Sequence, residues 1–128
     1  MRYMLPNHPC DFEIPDAWLT DAGITGFVPG ASAYLSTPDA VSVLLREIEP
    51  PYRTPQTTKD YRGFDRARMI SVLNGIATGA KIDPVPLLAL PEASFAFPAP
   101  YRYRVRDGYH RFYASIIAGF VSLPGTIL

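Results

Sequence analysis

The sequence predicts an α+β fold in which a small mixed β-sheet is flanked by helices. Three observations predict it. Residues 101–106 alternate strictly, with Tyr101, Tyr103 and Val105 on one side and Arg102, Arg104 and Arg106 on the other. That is the period of a strand with one buried face. Residues 65–78 instead place Ala67, Ile70, Val72, Leu73, Ile76 and Ala77 mainly three or four apart, the period of a helix. The chain also carries 14 prolines, far above the ordinary share, which forecasts many short elements joined by stiff turns rather than a helical bundle.

From the start of the chain, residues 1–10 read as irregular, because Pro6 and Pro9 stand close together. Phe12-Glu13-Ile14-Pro15 alternates apolar and acidic, like a short strand stopped by proline. Asp16 is expected to cap a short helical turn through Ala17-Trp18-Leu19, and Gly23 to end it. Residues 23–40, rich in Gly, Pro, Ser and Thr, read as a loop, which Phe27, Val28, Tyr34 and Leu35 should fasten to the rest. Residues 41–48 carry two patterns. Pro38-Asp39 can open a helix, while Val41, Val43 and Leu45 alternate as in a strand. The strand is the favoured reading, and Glu49-Pro50-Pro51 must end it, since proline lacks the donor needed to continue.

Residues 52–62 are polar and loop-like. In the helix over 65–78, Asp65 sits near the positive end and Gly79 is a natural stop, while Gly75 weakens the middle. Residues 82–90 read as an extended, proline-bounded strand, and 91–100 as a connection containing Pro and Phe. After the strand 101–106, Asp107-Gly108 breaks the chain. A helix from about His110 to Ala118 follows, burying Ala114, Ile117 and Tyr113, and Gly119 ends it. Leu123-Pro124 leads to a last short strand, Thr126-Ile127-Leu128.

A chain of 128 residues fits one domain and can bury a real core. Its hydrophobic content argues against disorder. Net charge is zero, so no global field points to nucleic acid or membrane. The distribution is uneven. Residues 1–50 hold seven acids against Arg2 and Arg46, and residues 51–128 hold ten Arg and Lys against five acids. The second half can thus attract an anion, or the two halves can pair with each other. Cys10 is the only cysteine, which rules out an internal disulfide and a cysteine-rich zinc site, and His8 beside it does not complete a metal site. No stretch approaches the roughly 20 apolar residues of a membrane span, and the first residues carry no apolar run long enough for a signal peptide. A soluble cytoplasmic protein is expected.

The chemistry concentrates where the strand 101–106 turns into the last helix. Gly108 can take positive φ without a side-chain clash, so the turn can be abrupt. The first helical N–H groups then point outward without partners, and with the helix dipole they favour an anion. Arg111 adds a permanent charge and a planar fork suited to phosphate oxygens. His110 adds a donor whose charge can change near neutral pH. Asp107 can cap the helix or hold a metal that bridges phosphates. Tyr109 can stack on a base, donate to phosphate or simply cover apolar surface, and Arg102, Arg104 and Arg106 either widen a cationic floor or form a wet face that meets acids.

The run Asp107-Gly108-Tyr109-His110-Arg111, with Ala114 and Gly119 following, resembles the signature of the ParB/sulfiredoxin superfamily. The strand 41–48, Arg53 after it, the helix 65–78 and Asp83-Pro84-Val85-Pro86 follow the family order, so the resemblance covers about residues 41–128 as a core, with 1–40 as an N-terminal extension packed on it. The resemblance implies phosphate binding by Gly108, Tyr109, His110, Arg111 and Arg53, with Asp107 and His110 as catalytic groups and no metal held by the chain alone. The implied ligand is a nucleotide (ATP or CTP, with Mg2+) or another phosphorylated small molecule. Nucleoside triphosphatase or phosphotransferase activity is one reading; a non-catalytic nucleotide-sensing or protein-interaction module is a second; a ParB-like nuclease or nucleic-acid-associated protein is a third. Sulfiredoxins carry a catalytic cysteine just before the His-Arg pair, where this chain has Tyr109, which argues against that activity. The chain ends at Leu128 without the helix-turn-helix of partition proteins, so sequence-specific DNA binding is not expected.

Overall fold

In the computed structural model, which describes residues 1–7, 11–51, 63–90 and 101–128, the chain begins as a ribbon. β1 (Arg2–Met4) pairs antiparallel with β2 (Asp11–Glu13), with Tyr3 opposite Phe12. The first ten residues are therefore not irregular throughout; the pairing with β2 overrides what two prolines suggest. Phe12 is buried and meets Phe64 at 6.0 Å and Tyr113 at 4.8 Å between ring centroids. These contacts fasten the ribbon to the main core.

Helix α1 (Asp16–Ala22) buries Trp18, Leu19 and Ala22 and ends at Gly23, whose φ of 73° no other residue type adopts as cheaply. Its N-cap is Pro15, not Asp16 as expected. The cap residue must be extended, which the Pro15 ring presets, and Asp16 becomes the first helical residue, where its charge still favours the dipole. Residues 24–40 contain no helix or strand. Phe27 and Tyr34 pack edge-on against Phe120, each at 6.1 Å. Val28 and Leu35, expected to pack with them, are 81% and 62% exposed.

The main sheet has five strands in the order β3-β7-β5-β6-β4. Its members are β3 (Val41–Leu44), β4 (Ile48–Glu49), β5 (Val85–Ala89), β6 (Tyr103–Val105) and β7 (Ser122–Ile127). Pairing alternates: β3 with β7 antiparallel, β7 with β5 parallel, β5 with β6 antiparallel, β6 with β4 parallel. β3 and β4 thus occupy opposite edges, yet only a single 3-10 turn, Leu45–Glu47, separates them in the chain. Four inter-strand steps would set the edges of a flat sheet roughly 19 Å apart, and the linking residues reach at most roughly 14 Å. The sheet must therefore curl until its edges approach. This is why residues 41–48, which alternate like one strand, are two: the turn carries the chain from one edge of the curled sheet to the other.

α2 (Arg66–Ala77) buries Met69, Leu73 and Ile76, four and three residues apart. Asp65 is its N-cap, and its side chain accepts from the Arg68 amide at 3.0 Å. Asn74 donates to the Ala22 carbonyl at 3.0 Å and Arg66 pairs with Asp21, which join α2 to α1. β7 starts four residues before the strand expected at Thr126. Its Gly125 allows the close approach: a Cβ there would stand 2.8 Å from Leu87 Cδ1 and 3.4 Å from the Val85 carbonyl. One hydrophobic cluster runs from Leu5, Phe12 and Ile14 through Met69 and Leu73 to Phe112 and Leu123. Among the described residues no helix is long and apolar enough to cross a membrane.

Candidate functional site

β6 delivers the chain to the turn. Tyr101 is buried, Tyr103 and Val105 are half-buried, and the arginines between them are exposed, as the alternation requires. The arginines do not form an open cationic floor. β4 lies beside β6, so Glu47 meets Arg102 at 3.0 Å and Glu49 meets Arg104 at 3.2 Å. Both acids come from the acidic first half of the chain. Arg106, last in the row, is exposed and forms no ion pair among the described residues.

α3 spans Tyr109–Ala118 and is capped by Gly108, with φ 127° and ψ 37°. Residue 108 has little room for a side chain as well as an unusual φ. A Cβ would stand 3.0 Å from Val85 Cγ1 and 3.2 Å from both Nε and Nη2 of Arg111. Glycine offers no side-chain cap, and Asp107 does not supply the one expected of it. Its carboxylate is exposed and makes no hydrogen bond among the described residues. Its carbonyl is used instead, because Arg111 reaches back to it.

Arg111 is half-buried, and its guanidinium is held by three backbone carbonyls. Nη1 donates to Asp83 O at 2.9 Å and Pro84 O at 2.8 Å, and Nη2 donates to Asp107 O at 3.3 Å. These bonds clasp the first turn of α3 to the entry of β5. They occupy part of the five-donor fork and leave the charge uncompensated, because no carboxylate among the described residues lies within 4.0 Å of Arg111. The cation therefore lies beside Gly108, at the positive end of a helix whose cap has no side chain.

His110 is buried and points elsewhere. Its Nε2 accepts from the Asp65 amide at 2.8 Å, which assigns the ring proton to Nδ1 and joins the start of α3 to the cap of α2. Tyr109, the first residue of α3, is half-buried, its ring 5.4 Å from Phe64 and 5.0 Å from Tyr113. Arg53 lies outside the described residues. Gly108, Tyr109 and Arg111 are thus brought together with exposed Asp107, while His110 faces α2. Among the described residues no group of three or more His, Cys, Asp or Glu side chains could hold a metal ion.

Two polar groups outside the turn carry no signal in the local sequence pattern. Tyr34 and Ser36 have buried hydroxyls, and that of Ser36 makes no hydrogen bond among the described residues. Tyr34 lies beside Ser115, whose own proton goes to the Arg111 carbonyl at 2.7 Å. Burial pushes the Tyr34 phenol up to about 12, against a weaker opposing pull from Arg111 and Ser115. Comparison with known proteins adds no assignment: no family model, curated protein or solved structure matches the chain.

Proposed function

We propose that this chain is an anion-binding domain of the ParB/sulfiredoxin kind. Its guest is the phosphate group of a nucleotide (ATP or CTP, with Mg2+) or of another phosphorylated small molecule, held at the turn from β6 into α3. The observation that carries the reading is the state of Arg111. Its guanidinium is fixed beside Gly108 by neutral carbonyls and faces no carboxylate within 4.0 Å among the described residues. A cation at a helix N-terminus is unfavourable by itself, since the dipole end is also positive; a guest anion relieves both. Arg111 then offers its remaining donors, and the first amides of α3 offer theirs.

Binding without turnover is the better-supported form of this function. The Nε2 of His110 is engaged with the Asp65 amide, so the residue best suited to move protons near neutral pH is a positioning residue here. Asp107 is the carboxylate left at the turn, exposed and without a hydrogen bond among the described residues. It is the group that could share a phosphate-bound Mg2+. Isothermal titration with ATP, ADP, CTP and GTP, with and without Mg2+, tests the reading. Wild type should release or absorb heat with at least one nucleotide, and Arg111→Ala should bind about tenfold more weakly or worse. Absence of heat with every nucleotide and with inorganic phosphate removes it. Release of phosphate during the titration would restore the enzyme reading.

A further inference from the structure

We infer that His110 is a pH-sensitive latch between α3 and α2, closed while its imidazole is neutral and opened when the ring takes a proton. The latch operates whether or not a guest occupies the turn.

The latch completes a helix cap that α2 cannot complete by itself. Asp65 is the N-cap of α2, and its carboxylate accepts from the Arg68 amide at 3.0 Å. In a full capping box the third helical residue is Glu or Gln, and its side chain accepts from the N-cap amide. Here that residue is Arg68, whose side chain is a donor only. The Asp65 amide is taken instead by His110 Nε2 at 2.8 Å, from a residue 45 positions further along the chain. The box is thus closed across two helices. Its acceptor is the side chain whose lone pair is lost closest to neutral pH.

Protonation makes both ring nitrogens donors. The Asp65 N–H and the new Nε2–H would then face each other across 2.8 Å, so the ring must turn away or the helix starts must part. The surroundings oppose the charge. His110 is 6% exposed, with the Phe64 ring at 6.1 Å and the Tyr109 ring at 5.5 Å. It joins the N-termini of two helices, both of them positive dipole ends. The charged and titratable groups at these helix starts are Asp65, Arg66 and Arg68 on α2 and Tyr109, Arg111 and Tyr113 on α3. Arg66 pairs with Asp21, Arg111 is held at the entry of β5, and the Tyr113 hydroxyl donates to Pro51 O. The Asp65 carboxylate interacts with His110 and favours the protonated ring. It is open to solvent and already bound to the Arg68 amide, so its pull is screened. Burial, the two dipoles and the lost hydrogen bond act together against it. The folded protein therefore resists a proton that the unfolded chain accepts at about pH 6.5. The latch contributes fully above that pH, and its contribution is lost as pH falls below it.

The test is urea denaturation of the full chain from about pH 7.5 to about pH 5, wild type against His110→Gln. A glutamine side-chain oxygen can accept from the Asp65 amide and does not titrate. His8, the other histidine, is present in both proteins. The folding equilibrium constant of wild type should fall by about tenfold or more over this range, and that of His110→Gln by much less. In a 15N-resolved titration of wild type, the Asp65 amide proton should move upfield over the same range as it loses its acceptor. Parallel loss of stability in the two proteins overturns the latch. An Asp65 amide whose shift stays unchanged down to the acid end of the range also overturns it, and this second readout decides the matter even if His110→Gln does not fold.

Discussion

At the scale of single residues, the histidine and arginine of the turn have parted company. Both were expected to face the guest, but His110 is bound to the cap of α2 and Arg111 to the entry of β5. Replacing His110 by Ala should therefore act mainly on stability. The Asp65 amide loses its acceptor, a loss worth about 2 kcal/mol, readable as a lower urea midpoint, while nucleotide affinity changes far less than with Arg111→Ala. Asp65 itself gives a pH-dependent signature. Its carboxyl is held below the ordinary value of 3.8, chiefly by the Arg68 amide that it caps and less by its neighbours. A group lowered in the folded state stabilises the fold above its unfolded value and loses that contribution as pH falls through the folded one. Wild type should thus lose stability below pH 3.8 more steeply than Asp65→Asn, and Asp65→Asn should already melt lower at neutral pH. Equal melting curves for the two proteins from pH 7 to pH 2 would contradict this role.

At the scale of elements, the turn into α3 depends on one glycine. Gly108 combines a φ of 127° with a Cβ position 3.0 Å from Val85 and 3.2 Å from Arg111. Gly108→Ala should cost about 2 kcal/mol or more in backbone strain. It should also displace the guanidinium, so loss of anion binding ought to exceed what the stability loss explains. Much of this region was legible in the sequence. The helices over 65–78 and 110–118, the strand over 101–106 and the stop at Gly119 follow from local spacing, and they occur within one or two residues of their expected ends. Elements set by partners far along the chain were not legible. β1 exists because β2 pairs with it, and β7 extends back through Pro124 because β3 and β5 flank it. Residues 45–47 break what reads as one strand because the curled sheet must be crossed there. The direction of His110 depends on where α2 begins, which no spacing around residue 110 reveals.

At the scale of the whole molecule, the N-terminal segment and the rest share one core. Ile14, Trp18 and Tyr34 belong to the same buried cluster as Met69, Val85 and Phe112. Phe12 joins the ribbon to Phe64 and Tyr113, so Phe12→Ala should cost about 3–5 kcal/mol, a large share of the roughly 5–15 kcal/mol that a domain has. A single cooperative transition at a lower denaturant midpoint is the expected result. Two transitions, with the 41–128 part unfolding unchanged, would contradict a shared core. In the ion pairs Arg102–Glu47 and Arg104–Glu49 the arginines are exposed and the glutamates partly covered, and removing either pair should change stability by about 1 kcal/mol or less. Their larger effect is on charge. They neutralise two of the three arginines of residues 101–106 and leave Arg106 and Arg111 as the cations at the turn.

The most direct measurement is a 15N-resolved NMR titration of the full chain with inorganic phosphate and with ATP plus Mg2+. A guest at the start of α3 should move the amides of Tyr109, His110 and Arg111 and the Nε–H of Arg111 most, saturably, with Gly108 beside them. Shifts of that size confined to any other part of the chain, or none at ligand concentrations in the millimolar range, would contradict an anion site at this turn.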